Sequence, residues 1–175
     1  KILGQMPTQI DGNLYGNGKV VLLNSSGIVF GENAVVEVGK LHAIAGTDTQ
    51  ESFSLSGTIT NAGSIKANEV VLAGRSVTNT GTILVEEGSL VMAAGASVGL
   101  TDRDNTLFVS ISSEDPLSGA SDIAGQAVLQ SGVVQASKAQ FYGNSITHGG
   151  STQASTLTVQ DYATFDGAKG TVSTP

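Results

Sequence analysis

The chain contains no cysteine, no tryptophan and only 3 prolines in 175 residues. Without cysteine it can form neither a disulfide nor a thiolate metal site. Arginine occurs only at Arg75 and Arg103, and 8 basic residues stand against 15 acidic ones, for a net charge of −7. That balance argues against nucleic acid or an anionic membrane as partner. No apolar run approaches the roughly 18 residues of a membrane span, and no segment alternates long enough to suggest a membrane barrel, so no membrane insertion is expected. Aromatic residues make up 5% of the chain, and no window carries the apolar stripe of a helix.

What fills the chain instead is glycine, at 23 positions, with valine, isoleucine, threonine, alanine and serine. These residues suit short strands and tight corners. The strongest internal signal is repetition. The segment from Gly63 to Thr78 aligns without a gap on that from Gly132 to Thr147, pairing Gly63 with Gly132, Ala67 with Ala136, Gly74 with Gly143 and Ser76 with Ser145. Between these copies, Asn79-Thr80-Gly81-Thr82-Ile83 echoes Asn61-Ala62-Gly63-Ser64-Ile65, and Gly95 closes a unit begun after Gly74. A short repeat of this kind, without helical periodicity, points to a stack of strands.

Within each unit the alternation has period two. Ala34, Val36 and Val38 share one face and Val35 and Glu37 the other; Ile65 and Ala67 flank Lys66, and Ile83 and Val85 flank Leu84. The runs end at Gly, Asn or Ser, so Gly63, Gly74, Gly81, Gly95, Gly132 and Gly143 are expected at corners that require positive φ. The expected fold is all-β, a single right-handed parallel β-helix (a solenoid) over residues 1–175, in which each turn buries its inward side chains only against its neighbours. Residues near 101–126 break the period, and a strand over 106–111 flanked by turn-rich segments predicts a side excursion.

Residues 10–39 carry a resemblance. Gly12-Asn13-Leu14, Gly16-Asn17-Gly18, the turn Asn24-Ser25-Ser26-Gly27-Ile28, then Phe30-Gly31 and the strand Ala34–Val38, resemble the haemagglutination-activity, or two-partner-secretion, domain of filamentous-haemagglutinin-like exoproteins. That family has Asn-Pro-Asn-Gly-Ile where this chain has Asn24 to Ile28. The likeness extends over about residues 3 to 147. It implies a β-helix, an outer-membrane transporter of a Gram-negative cell as partner, an extracellular or cell-surface location, and adhesion, matrix or filament roles. A host or cell-surface receptor, or self-association, is the further partner expected. The start at Lys1-Ile2-Leu3 and the coil-like end suggest a fragment of a longer exoprotein.

Other motifs have ordinary explanations. Tyr15-Gly16-Asn17-Gly18-Lys19 looks like a phosphate loop, but a strand follows where a helix would be needed. Glu86-Glu87 are strand neighbours and point apart. Asp102-Arg103-Asp104-Asn105 begins like a calcium loop, yet Leu107 and Ser113 stand where the template wants Gly and Glu. Asn24-Ser25-Ser26 is a glycosylation sequon by pattern. His42 and His148 lack a nearby acidic cluster in sequence. No catalytic, cofactor or metal site is therefore expected, and the chain reads as a non-catalytic surface protein. The alternative is a polysaccharide-active β-helix enzyme, a lyase or hydrolase, which would need clustered carboxylates with Arg or Lys.

Overall fold

The computed structural model describes residues 5–50, 52–103, 106–112, 126–166 and 171–173, with side chains excepted in 101–112 and 161–173. The described residues are all-β, without a helix. The chain first makes a circuit of three short strands, β1 (Thr8–Ile10), β2 (Asn13–Tyr15) and β3 (Lys19–Leu23). A second circuit follows as β4 (Ile28–Phe30), β5 (Val35–Glu37) and β6 (Lys40–Ile44). After a hairpin of β7 (Gly46–Asp48) and β8 (Phe53–Leu55) comes the third, β9 (Thr58–Asn61), β10 (Ser64–Ala67) and β11 (Glu69–Gly74). The fourth consists of β12 (Ser76–Asn79) and the long β13 (Thr82–Ala94), and it is followed by β14 (Ser97–Arg103) and β15 (Thr106–Ser112). The remainder is β16 (Ala127–Gln130), β17 (Val133–His148), β18 (Ser151–Asp166) and β19 (Thr171–Ser173).

Three parallel ladders run through these circuits. The first joins β1, β4, β9, β12 and β16 to the last part of β17. The second joins β2, β5 and β10 to the first part of β13, then β17, β18 and β19. The third joins β3, β6 and β11 to the second part of β13 and then β17. The long strands β13, β17 and β18 serve several ladders, with a register shift between Val85 and Ser89 in β13 and between Gly143 and Ser145 in β17. The repeat read from sequence is the structural register: Ile65 stands opposite Ile83, which stands opposite Val134. Val77 likewise reaches Ile146 through Val128. Gly74 faces Ala94, one residue short of Gly95.

Inward alternation builds one core. Phe30, Ile59, Val77, Val128 and Ile146 from the first ladder meet Val36, Ile65, Ile83 and Val134 from the second and Leu41, Leu72, Leu90, Met92 and Phe141 from the third. All are essentially inaccessible. The period breaks in two places rather than one. The β7–β8 hairpin and the β14–β15 hairpin leave the circuits and pair with each other antiparallel, Val98 opposite Phe53. Leu55, Phe53, Val98 and Leu100 from this small sheet cover the outward side chains Ile44, Val71, Ala73, Val91 and Ala93 of the third ladder. Those outward valines and alanines would otherwise face water, and burying them makes a second core. The predicted strand over 106–111 is β15, but the excursion starts at Ser97, and residues 113–125 of it lie outside the described residues.

Candidate functional site

The turn that resembles a secretion motif is a stitch between circuits. Asn24 is buried, and its Nδ2 donates to the Met6 carbonyl at 3.0 Å and to Thr8 Oγ1 at 2.9 Å. Its Oδ1 accepts from the Ser26 N–H at 2.9 Å, while the Gly27 N–H donates to the Asn24 carbonyl at 3.2 Å. Gly27 has φ 118, and a Cβ there would come 2.9 Å from the Thr58 carbonyl oxygen. The Ser25 carbonyl accepts from the Ser56 hydroxyl at 2.9 Å, and Ile28 turns into the core. An amide so occupied is closed to glycosylation in the folded chain, so the sequon is a turn.

The corner glycines owe their identity to crowding more than to φ. Gly27 is the only positive-φ glycine among the described residues, which corrects the expectation that the corners need left-handed backbone. A Cβ on Gly81 would fall onto the Gly63 carbonyl, one on Gly132 onto the Gly81 carbonyl, and one on Gly150 onto the Gly132 carbonyl. These glycines stack directly, circuit on circuit. Gly63 itself abuts the carbonyls of Gly31 and Ala34. Gly74 is close to the Gly57 carbonyl and its own carbonyl receives the Gly95 N–H at 3.1 Å, whereas Gly143 has ordinary clearance.

Beside the glycine column runs a buried polar ladder that sequence reading missed. Asn61 Nδ2 donates to Asn79 Oδ1 at 2.8 Å, and Asn79 Nδ2 to Gln130 Oε1 at 2.7 Å. Gln130 Nε2 reaches the Gly132 and Ser151 carbonyls at 3.1 and 3.2 Å. His148 stands next in register and bonds through Nε2 with Thr152 Oγ1 at 2.9 Å. The local sequence is a buried polar residue, one spacer and glycine: Asn61-Ala62-Gly63, Asn79-Thr80-Gly81, Gln130-Ser131-Gly132 and His148-Gly149-Gly150. Each of the carbonyls of Asn61, Asn79 and Gln130 accepts from the two N–H groups that follow the equivalent residue one circuit on. The signal was present in the sequence but disguised by the change from Asn to Gln and His.

His42 does have an acidic partner, one circuit further along the chain. Its Nε2 lies 2.7 Å from Glu69 Oε1, and Lys40 Nζ lies 3.5 Å from Glu69 Oε2. Both His42 and Glu69 are buried. Burial pushes the imidazole below the ordinary value, the Glu69 hydrogen bond opposes this, and Lys19 and Lys40 add to the depression. A neutral imidazole donating to a carboxylate fits that balance. Buried side by side, His42 and Glu69 tie β6 to β11. Among the described residues there is no group of three His, Cys, Asp or Glu side chains that could hold a metal ion. Asp104 and Asn105 of the calcium-like segment lie outside the described residues, and Asp102 is described only as a backbone position in β14. The Tyr15–Lys19 loop is the corner between β2 and β3, with the Gly16 N–H on the Glu37 carbonyl at 2.9 Å.

Among the described residues, a concave surface lies along the corner from the second ladder to the third. A hollow of about 320 Å³ is lined by Asn17, Glu37, Lys66, Asn68 and Glu86. A second, of about 460 Å³, is lined by Leu84, Glu86, Gln135, Ser137, Gln153 and Ser155. Glu86 belongs to both, and it meets Lys66 Nζ at 3.0 Å. That carboxylate holds the exposed Lys66 ammonium above the usual lysine range. The two hollows together form one open polar groove across successive circuits. Compared with known proteins, the chain matches no family model and no curated sequence.

Proposed function

We propose that the chain is a right-handed parallel β-helix and acts as a non-catalytic, secreted surface protein of the two-partner-secretion type, an adhesin, matrix or filament component. The observation that carries the fold is the shared register of three parallel ladders, in which the advance from Ile59 to its partner Val77 equals that from Val128 to its partner Ile146. A chain that returns to the same three ladders in the same order, each time in parallel, winds in one direction, and parallel crossovers are right-handed in roughly 98% of cases. The surface role rests on the resemblance of residues 10–39 and on the turn at Asn24–Ile28, whose side-chain bonding holds the first circuits together. A stack of this kind gives a long, stiff surface suited to display outside a Gram-negative cell, delivered by an outer-membrane transporter.

The test is a secretion assay. The chain, placed behind a signal peptide in a Gram-negative host, should reach the cell surface when a two-partner-secretion transporter is co-expressed and should stay in the periplasm without it. Surface arrival independent of the transporter, or none with it, would remove the assignment to this route.

A further inference from the structure

We propose that the polar groove between the second and third ladders binds an extended, uncharged polysaccharide strand lying along the stack. The proposal rests on the β-helix assigned above, because only stacked circuits carry the groove from one turn to the next. Its lining repeats with the circuits. Leu84, Gln135 and Gln153 are register partners in consecutive strands and face outward, so equivalent side chains recur about every 4.8 Å. Gln135 and Gln153 make no hydrogen bond to another described residue, so each offers an amide donor and an acceptor to a ligand. Ser137 and Ser155 add hydroxyls at the groove wall, and half-buried Leu84 gives an apolar surface for the face of a sugar ring.

Three features select the ligand class. The amides of Gln135 and Gln153 and the hydroxyls of Ser137 and Ser155 each offer both a donor and an acceptor, which matches a polyhydroxyl chain. Glu37 and Glu86 outnumber Lys66 in the groove, and the whole chain carries −7, so an anionic polysaccharide is repelled. An extended peptide advances about 3.3 Å per residue and falls out of step with the circuits, whereas a β-linked pyranose chain advances by close to one strand spacing per ring. Binding through exposed polar groups is weak at each ring and gains strength over several rings.

The experiment is native affinity electrophoresis of the full chain in gels containing hydroxyethylcellulose, dextran or alginate. Retardation by hydroxyethylcellulose, absent with alginate, is expected. The double variant Gln135→Ala/Gln153→Ala should lose at least fivefold of that retardation, and Thr156→Ala/Thr158→Ala on the third ladder should lose none. Both pairs replace outward-facing side chains, and an unchanged strand spectrum in circular dichroism confirms that each variant is folded. No retardation by hydroxyethylcellulose, retardation by α-linked dextran or by alginate as strong as or stronger than by hydroxyethylcellulose, or equal retardation of the glutamine variant would overturn the proposal. With the strand spectrum intact, such a failure concerns the groove alone, and the secretion assay decides the surface role separately.

Discussion

An alanine methyl at Gly81 has no room, because the Gly63 carbonyl of the preceding circuit occupies its place. Relief requires two circuits to move apart, which breaks ladder hydrogen bonds on both sides. Gly81→Ala should therefore cost about 1–3 kcal/mol in urea unfolding, while Gly12→Ala, where a Cβ meets open space, should stay within about 0.5 kcal/mol. Equal effects would mean that these glycines do not touch. The buried histidines set a pH dependence. Burial holds both His42 and His148 below the ordinary histidine value of 6.5. The unfolded chain then takes up protons near pH 6.5 that the folded chain resists, so stability is complete above that value and falls as pH drops toward the lowered folded-state values. Thermal melting between pH 7.5 and 5 should show this decline, and His42→Gln/His148→Gln should flatten it; a wild-type curve level from 7.5 to 5 would contradict it. Corner glycines were legible as residues, since Gly63 and Gly74 recur with the same separation as Gly132 and Gly143. Their cause was not, because a neighbour's carbonyl one circuit away leaves no trace in local sequence. The same distance in sequence hid the link between His42 and Glu69.

Elements divide into those that repeat and those that interrupt. Strands β9 to β13 were legible because Ile65 and Ala67 alternate with polar neighbours and recur at a fixed interval as Ile83 and Val85, and their inward burial follows from that alternation. The β14–β15 hairpin was visible as a break in period. The β7–β8 hairpin was not, because Gly46 to Leu55 is short and polar and its partner β14 comes only after two further circuits. Its role is to cover apolar side chains on the outside of the third ladder. Leu55→Ala should destabilise by about 2–5 kcal/mol, and hydrogen exchange should speed first in 46–55 and 97–103, with the parallel ladders keeping their protection. Uniform acceleration across the ladders would show that the small sheet and the circuits unfold as one unit.

At the scale of the whole molecule, the proposed β-helix draws its stability from neighbour contacts between circuits, since no circuit of such a stack encloses a core alone. Asn61, Asn79 and Gln130 add buried hydrogen bonds that fix the vertical register, because a shift of one residue would separate every pair. The register is therefore the central claim, and the absence of native cysteine allows a clean test of it. Leu84 and Gln135 face each other in adjacent circuits although far apart in the chain, and Thr78 and Leu129 do so on another ladder. Leu84→Cys/Gln135→Cys and Thr78→Cys/Leu129→Cys should each form an intramolecular disulfide under mild oxidation, since a Cα separation of about 4.8 Å suits that bond. Leu84→Cys/Gln153→Cys spans two circuits, about 9.6 Å, and should remain reduced. Disulfides in both adjacent pairs and none in the third is the predicted result, read by mass under reducing and non-reducing conditions. Cross-linking of the two-circuit pair, or failure of both adjacent pairs in a folded chain, would contradict the stacking.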